Sequence, residues 1–134
     1  MKEFSLQIVT PDKTVMDGKA ISLLIRTATG DVEILAGHTD LLAALGTGRA
    51  RIRTADGMDT FASVSGGFLS VSDGVVRIAA TTFEMASELD LKRAEAAKEK
   101  AEQAIKEAKS SAEIDLAKAK LARALTRISV KNMK

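Results

Sequence analysis

Charged residues at helical spacing in the last third of the chain are the ones best suited to binding chemistry. Asp90, Arg93, Ala97 and Lys100 follow one another at intervals of three and four residues, and Arg123 and Arg127 lie four residues apart further along. If the two segments fold against each other, several cations and one carboxylate come together. Such a cluster suits a polyphosphate, because guanidinium groups match phosphate oxygens. The alternative, which spacing alone favours, is a solvated charged face with Asp90 acting only as a helix cap.

Catalytic motifs are absent from the sequence. It contains no glycine-rich phosphate loop, no His-Glu-x-x-His zinc motif and no Gly-x-Ser-x-Gly nucleophile elbow. Cysteine is absent and His38 is the only histidine, which excludes disulfides, Cys-based metal sites and clustered histidine sites. His38 could act as a general base beside Asp40 or Ser65, but a lone histidine in a glycine-containing loop is more often a hydrogen-bonded turn residue. We therefore expect no catalytic site and no metal site.

Composition narrows the classes of partner. The 134 residues carry a formal net charge of +2, and they contain neither Trp nor Tyr. Duplex-binding domains need a concentrated basic surface and single-strand binders need aromatic platforms, so nucleic acid is not an expected partner. No apolar run approaches the roughly 18 residues of a membrane-spanning helix, and the start lacks a secretion signal. We expect a soluble intracellular protein with one real core and no direct lipid insertion.

Residues 1–86 carry the pattern of an antiparallel β-sandwich or barrel. Short apolar or alternating runs occur at residues 4–9, 20–27, 49–54, 60–64, 68–71 and 75–80. Turn residues separate these runs, and the Asp-Gly pairs at 56–57 and 73–74 are the strongest hairpin turns. The Ser-Gly-Gly segment at 65–67 predicts a bulge at a sheet corner, a close backbone approach to a partner, or both.

Residues 87–134 contain no Gly or Pro and are rich in Ala, Lys, Glu and Leu, which favours helices. Asp90 is the predicted N-cap of a first helix, and Ser110 with Glu113 three residues later forms a capping-box pattern for a second. We expect the helices to end near residues 109 and 130, and the short joint predicts an antiparallel hairpin. Alanines dominate the inward stripe of the first helix. The hairpin therefore buries little apolar area and is expected to be the less stable half.

Motifs along nearly the whole chain resemble the ε subunits of F-type ATP synthases. These motifs are Ile8-Val9-Thr10-Pro11, the segment from Thr29 to His38 with Leu41-Leu42, the segment from Val64 to Val71, Leu89-Asp90-Leu91-Lys92-Arg93-Ala94 and the ending from Arg123 to Val130. They are similar to the family's opening strand, its Gly-Glu-Leu-Gly-Ile-Leu-Pro-Gly-His loop, its Ser-Gly-Gly-Phe strand, its Ile/Leu-Asp-x-x-Arg-Ala motif and its last helix. Asp31, Glu33 and Ala36 stand where the family usually has Glu, Gly and Pro.

The resemblance implies a β-sandwich of about ten strands over residues 1–86, followed by a two-helix antiparallel hairpin over residues 87–134. It also implies a non-catalytic rotor subunit in the central stalk of a proton- or sodium-translocating ATP synthase, peripheral at the cytoplasmic face of the cell membrane. The sandwich would dock on the γ subunit and on the ring of c subunits, with Asp31 and His38 in a loop that faces the ring. The helices would contact the α and β subunits when they extend, and would then inhibit ATP hydrolysis.

ATP-binding members of the family imply a nucleotide site here, with ATP as a regulatory ligand and no required cofactor. The matching positions are Glu84, Leu89, Asp90, Arg93, Ala94, Lys100, Arg123 and Arg127. Lys100 stands where such members can carry Arg, which keeps the charge but loses the planar guanidinium. Two other interpretations stay open. One is a free-standing β-domain adaptor with a helical oligomerisation hairpin, and the more remote one is a small hydrolase that uses His38.

Overall fold

Residues 2–133 are described by a computed structural model. They form seven strands, one 3-10 turn and two helices. The strands are β1 (Phe4–Val9), β2 (Thr14–Ala20), β3 (Ser22–Thr27), β4 (Gly30–Ile34), β5 (Leu41–Arg53), β6 (Asp59–Ser72) and β7 (Val75–Met85). The 3-10 turn (Ala86–Glu88) leads into α1 (Leu91–Glu107) and α2 (Ser111–Lys131).

The expected sandwich with a helical hairpin is confirmed, but the count of about ten strands is too high for the described residues. β5, β6 and β7 have 13, 14 and 11 residues, whereas strands usually have five or six. Two separate apolar runs, 60–64 and 68–71, therefore belong to the single strand β6. β2 and β4 are strands that the apolar runs did not predict. Both lie at the ends of the sheet, where one side has no strand neighbour and apolar alternation is weak.

One hydrogen-bonded sheet, in the order β2-β1-β7-β6-β5-β3-β4, makes both layers of the sandwich. All neighbouring strands are antiparallel except β1 and β7, which are parallel. In β6 the buried positions change parity between Val64 and Leu69, and β5 and β7 change parity at the same level. Side chains alternate strictly along a regular strand, so this change marks a bend where each long strand passes from one layer to the other.

Gly66 and Gly67 lie at this bend in β6, and their φ angles are +70° and +101°. Gly67 is paired with Ala80 of β7. A Cβ atom at Gly67 would lie 2.7 Å from the Cα of Ala80 and would also overlap the carbonyl of Ala79. The close approach is therefore to β7 of the same chain, which supports the sheet-corner interpretation of this segment.

The main apolar cluster belongs to the sandwich. Its buried members lie between Phe4 and Phe83, and among the described residues none comes from α1 or α2. Fully burying one large aliphatic side chain contributes roughly 1.5 to 3 kcal/mol. The helices bury mostly small side chains, namely Ala94, Ala101, Ala117 and Ala124, with Val130 near the end of α2. Most of the stabilisation from burial therefore lies in the sandwich.

Both predicted helix caps are present. The Asp90 carboxylate accepts a hydrogen bond from the backbone N–H of Arg93 at 3.2 Å, and the Ser110 hydroxyl accepts one from Glu113 N–H at 3.2 Å. The Glu113 carboxylate accepts from the backbone N–H of Lys109 at 2.9 Å, one residue before the cap. α1 ends two residues earlier than expected because Ala108 already has extended backbone angles. The two helices then pack against each other.

Gly67→Ala should destabilise the sandwich strongly, because the added methyl group would meet backbone atoms of β7 that cannot move aside. We expect a loss of more than about 3 kcal/mol in the free energy of unfolding, or no folded protein. Gly57→Ala is the matched control. It also has a positive φ, +83°, but no atom lies within 4 Å of its added Cβ, so it should lose only about 1 to 2 kcal/mol. Equal urea midpoints for the two variants would show that the corner is loosely packed.

Candidate functional site

A cavity of about 370 Å³ lies where the end of the sandwich meets both helices. This volume is within the range of small-molecule sites, roughly 300 to 1,000 Å³. Its lining residues come from β7, from the linker between β7 and α1 (residues 86–90), and from α1 and α2: Glu84, Glu88, Leu89, Asp90, Arg93, Ala94, Ala97 and Arg127. Six of the eight residues expected to contact a nucleotide therefore lie around one cavity.

Each lining residue is positioned by the element that carries it. Glu84 stands near the end of β7, which is held by β6 along most of its length. Leu89 and Ala94 are buried, and they fix the linker and the first turn of α1. Arg93 lies in that first turn, three residues after the N-cap. The cavity is thus built from a rigid strand end and a capped helix start.

An ion pair joins α2 to the sandwich at the edge of this cavity. Arg127 Nε donates to Glu84 Oε1 at 2.8 Å, and the two side chains are only 28% and 36% exposed. Partial burial reduces screening by water, so this pair contributes on the order of 1 kcal/mol, more than most fully exposed pairs. Arg127 therefore holds the helix in place and also presents a guanidinium to the cavity.

Asp90 has a structural task besides lining the cavity. One of its carboxylate oxygens caps α1. The helix-cap interpretation of Asp90 is thus correct, and it is compatible with a place in a binding site because a carboxylate accepts several hydrogen bonds.

Glu88 lines the cavity but was missed by sequence reasoning. Ala97 also lines it, one helical turn after Arg93, as the helical spacing from Asp90 predicts. Glu88 lies in the 3-10 turn, whose conformation no motif predicted. Its carboxylate accepts a hydrogen bond from Lys13 Nζ at 3.2 Å. With Glu88 included, three carboxylates and two guanidinium groups line the cavity.

Lys100 and Arg123 are the two expected residues that do not line this cavity. Lys100 is exposed on α1, about two turns beyond Arg93. Arg123 is half-buried on α2, one turn before Arg127. The structure therefore does not bring these two cations to the site, because α1 and α2 extend past it.

The last turns of α2 dock on the sandwich through a small set of contacts, here called the α2 anchor. Val130 is fully buried. Next to it, Lys131 Nζ donates to the carbonyl oxygen of Ala86 at 3.1 Å, and Ser129 Oγ accepts a long hydrogen bond of 3.5 Å from Arg49 of β5. Together with the ion pair of Arg127, these contacts hold the hairpin against β5, β6 and the 3-10 turn.

Asp31 and His38 do not share one loop, which corrects the expectation from the sequence. Asp31 lies on β4, because the chain turns back at Gly30 and pairs with β3 at once. Arg26 donates to its carboxylate at 2.7 Å, and this hydrogen bond lowers the pKa of Asp31 below its ordinary value. His38 lies in the turn after β4, where its backbone N–H donates to the carbonyl of Leu35 at 3.1 Å. The length of β4 separates the two side chains.

The sandwich also exposes apolar side chains on one outer face, here called the outer apolar row: Leu42, Ala44, Phe68 and Ala79. Ala44, Phe68 and Ala79 are directly paired across β5, β6 and β7. Phe68 is 59% exposed and Leu42 is 75% exposed. Large apolar side chains grouped on a rigid sheet are typical of interaction surfaces.

Residues 2–133 contain neither a metal-binding cluster nor a membrane-spanning helix. No group of three or more His, Asp or Glu side chains in this range is arranged to hold a metal ion. None of its helices is both long and apolar enough to cross a membrane.

Comparisons with known proteins cover nearly the whole chain. Residues 3–86 match the family described as ATP synthase, Delta/Epsilon chain, beta-sandwich domain, and residues 87–132 match its long alpha-helix domain. The chain is 38% identical over 135 residues to the ATP synthase epsilon chain of Ruminococcus albus, with 100% of both chains covered. It is 35% identical over 136 residues to that of an Exiguobacterium species, covering 100% of this chain and 99% of the other.

Solved structures share the fold. One chain of the mitochondrial ATP synthase of Euglena gracilis, from an OSCP/F1/c-ring structure, has a TM-score of 0.82 at 24% identity. The match covers 92% of this chain and 78% of that chain. One chain of the Tetrahymena thermophila mitochondrial ATP synthase, from a central stalk/c-ring structure, has a TM-score of 0.64 at 16% identity, with 96% of both chains covered.

Proposed function

Because the chain belongs to the delta/epsilon chain family of ATP synthases, we propose that it connects the γ subunit to the c-ring and that its helical hairpin regulates ATP hydrolysis. Membership of this family makes it a non-catalytic ATP synthase subunit. The observation that carries the regulatory part is the cavity between the sandwich and both helices, which contains most of the expected nucleotide contacts. The proposal includes a peripheral position at the cytoplasmic face of the cell membrane.

The outer apolar row is the surface that we assign to the γ subunit. The two structural neighbours come from assemblies that contain the F1 part or central stalk and the c-ring. A rotor connection must transmit torque, so it needs a rigid surface, and the row stands on three long paired strands. The charged Asp31 end of β4 and the His38 turn are assigned to the c-ring, as the family resemblance implies.

Phe68→Ser should weaken binding of the isolated subunit to the γ subunit by tenfold or more. A large apolar side chain that anchors the centre of an interface contributes about 2 kcal/mol to the binding free energy. Met58→Ser is the matched control. Met58 is 63% exposed but lies in the β5–β6 turn, away from the row. Binding can be measured by surface plasmon resonance with immobilised γ. If Phe68→Ser binds as the parent does, the γ subunit docks elsewhere.

The way the hairpin is attached supports the regulatory part of the proposal. In the structure the hairpin is folded down on the sandwich, a conformation here called the parked form. It is held there mainly by the α2 anchor. Beyond its first two turns, α2 carries basic residues and no acidic ones. The basic residues are Lys118, Lys120, Arg123, Arg127 and Lys131. If the anchor releases, this basic helix could extend along γ and meet acidic loops of the α and β subunits. The parked form would permit ATP hydrolysis and the extended form would obstruct rotation.

Two variants should change hydrolysis by the assembled enzyme in opposite directions. The enzyme assembled with a chain that ends at Ser87 lacks the inhibitory helices and should hydrolyse ATP faster, with synthesis preserved because the sandwich keeps its own core. The enzyme that carries Val130→Ala should hydrolyse ATP more slowly, because loss of a buried side chain destabilises the parked form by about 1 to 3 kcal/mol.

The control for Val130→Ala is Leu116→Ala on the same helix. Leu116 is 58% exposed, so its removal should leave the rate nearly unchanged. Initial hydrolysis rates of the reconstituted enzymes provide the measurement. If both the truncation and Val130→Ala raise the rate, or if neither changes it, the parked form is not the permissive one.

ATP is the ligand that we propose for the cavity. Arg93 and Arg127 can bind phosphate oxygens through charge-assisted hydrogen bonds, while Glu84 and Asp90 can accept from a ribose hydroxyl or the adenine amine. A ligand that bridges β7, the linker and both helices binds only the parked form. It would stabilise that form by RT ln(1 + [L]/Kd), about 2.7 kcal/mol at a hundredfold excess over Kd.

Arg93→Ala and Arg127→Ala should each weaken ATP binding at least tenfold, because each removes a charged hydrogen bond of roughly 1.5 to 3 kcal/mol. Arg123→Ala is the matched control. It removes the same charge from α2 but lies outside the cavity lining, so its effect should be a few-fold at most. Isothermal calorimetry on the isolated subunit measures all three. The cavity is not the nucleotide site if millimolar ATP produces no heat, or if Arg123→Ala weakens binding as much as the other two.

A further inference from the structure

The balance of charge around the cavity is unusual for a phosphate site. Three carboxylates, on Glu84, Glu88 and Asp90, face two guanidinium groups, so the lining has one net negative charge. Glu84 is paired with Arg127 and Asp90 caps α1. Glu88 is bound to neither helix. Its partner is Lys13, which belongs to the sandwich.

The backbone of Lys13 is held in place by its own turn. It lies between β1 and β2, directly after Pro11 and Asp12. The backbone N–H of Thr10 donates to the Lys13 carbonyl at 2.9 Å, which closes the turn. The ammonium group reaches Glu88 at 3.2 Å without itself lining the cavity. The pair therefore connects the rigid sandwich to the 3-10 turn on the outer side of Glu88.

We propose that Glu88 and Lys13 set the affinity of the cavity for polyphosphates, with Glu88 opposing the phosphate charge and Lys13 partly neutralising Glu88. This inference rests on the proposed nucleotide site. Side chains that are 46% and 55% exposed interact through water as well as directly, so neutralisation is incomplete. A unit charge several ångströms from a triphosphate then changes its binding about three- to tenfold at low salt.

Glu88→Gln should therefore bind ATP about three- to tenfold more tightly than the parent, and Lys13→Gln should bind it more weakly by a similar factor. The double variant removes both charges and should bind close to the parent. The gain from Glu88→Gln should shrink at high potassium chloride, because added salt screens charge. A purely structural role for Glu88 would not show this salt dependence.

The experiment is calorimetry of the full chain with ATP at low and high potassium chloride. Glu102→Gln is the control, since it removes the same charge from an exposed position of α1 outside the lining and should bind as the parent does. If the parent binds ATP but Glu88→Gln binds equally or more weakly, Glu88 does not oppose the phosphates and the inference is wrong. If the parent shows no binding at millimolar ATP, the nucleotide site itself fails and this inference fails with it.

Discussion

The apolar core of the sandwich excludes the helices, and the attachment of the hairpin depends on this constraint. Every buried member of the main cluster among the described residues lies between Phe4 and Phe83. The hairpin is therefore held by the α2 anchor and by the Arg127 ion pair, each contributing on the order of 1 to 3 kcal/mol at most. Two states separated by a few kcal/mol can be interconverted by a ligand that prefers one of them. Because the core lies in the sandwich alone, the sandwich is the more stable part and the helical hairpin is held to it by only a few contacts.

The position of the cavity would link binding of the proposed ligand to this attachment. Arg127 contacts Glu84 of the sandwich and also lines the cavity, so a bound anion would act on the residue that holds α2 in place. Arg93 faces the same cavity from α1, and its position is fixed by the cap of Asp90. A ligand that contacts both arginines would connect both helices to the sandwich. Binding of such a ligand to the two arginines would therefore favour the parked form of the hairpin.

The sequence predicted features that depend on local chemistry. The Asp73-Gly74 pair forms the expected turn, with φ of 52° and 76°, and both helix caps lie at the predicted residues. The turn and the caps need only a few neighbouring residues to specify them. Six of the eight residues that the family resemblance implied for a nucleotide site line one cavity.

Features that depend on long-range pairing could not be predicted. The parallel pairing of β1 with β7 joins residues about 70 positions apart, and no local pattern encodes it. Strand β6 was divided in two because its apolar parity changes at the corner. Glu88 was missed because it lies in a 3-10 turn that no motif predicts, and its partner Lys13 is 75 residues away. Lys100 and Arg123 were included on charge and motif, but helix direction carries them past the cavity.

We propose that a nucleotide selects the parked hairpin, and the distance between sandwich and hairpin in the isolated subunit tests this proposal. The chain contains no cysteine, so cysteines introduced at the exposed positions of Arg77 in β7 and Lys106 in α1 can be spin-labelled alone. Double electron–electron resonance then reports the distance between sandwich and hairpin in the isolated subunit. Without nucleotide we expect a broad distribution, and with saturating ATP a narrow one centred on the parked distance. A distribution that ATP leaves unchanged, or shifts away from the parked distance, would show that ATP does not select the parked hairpin.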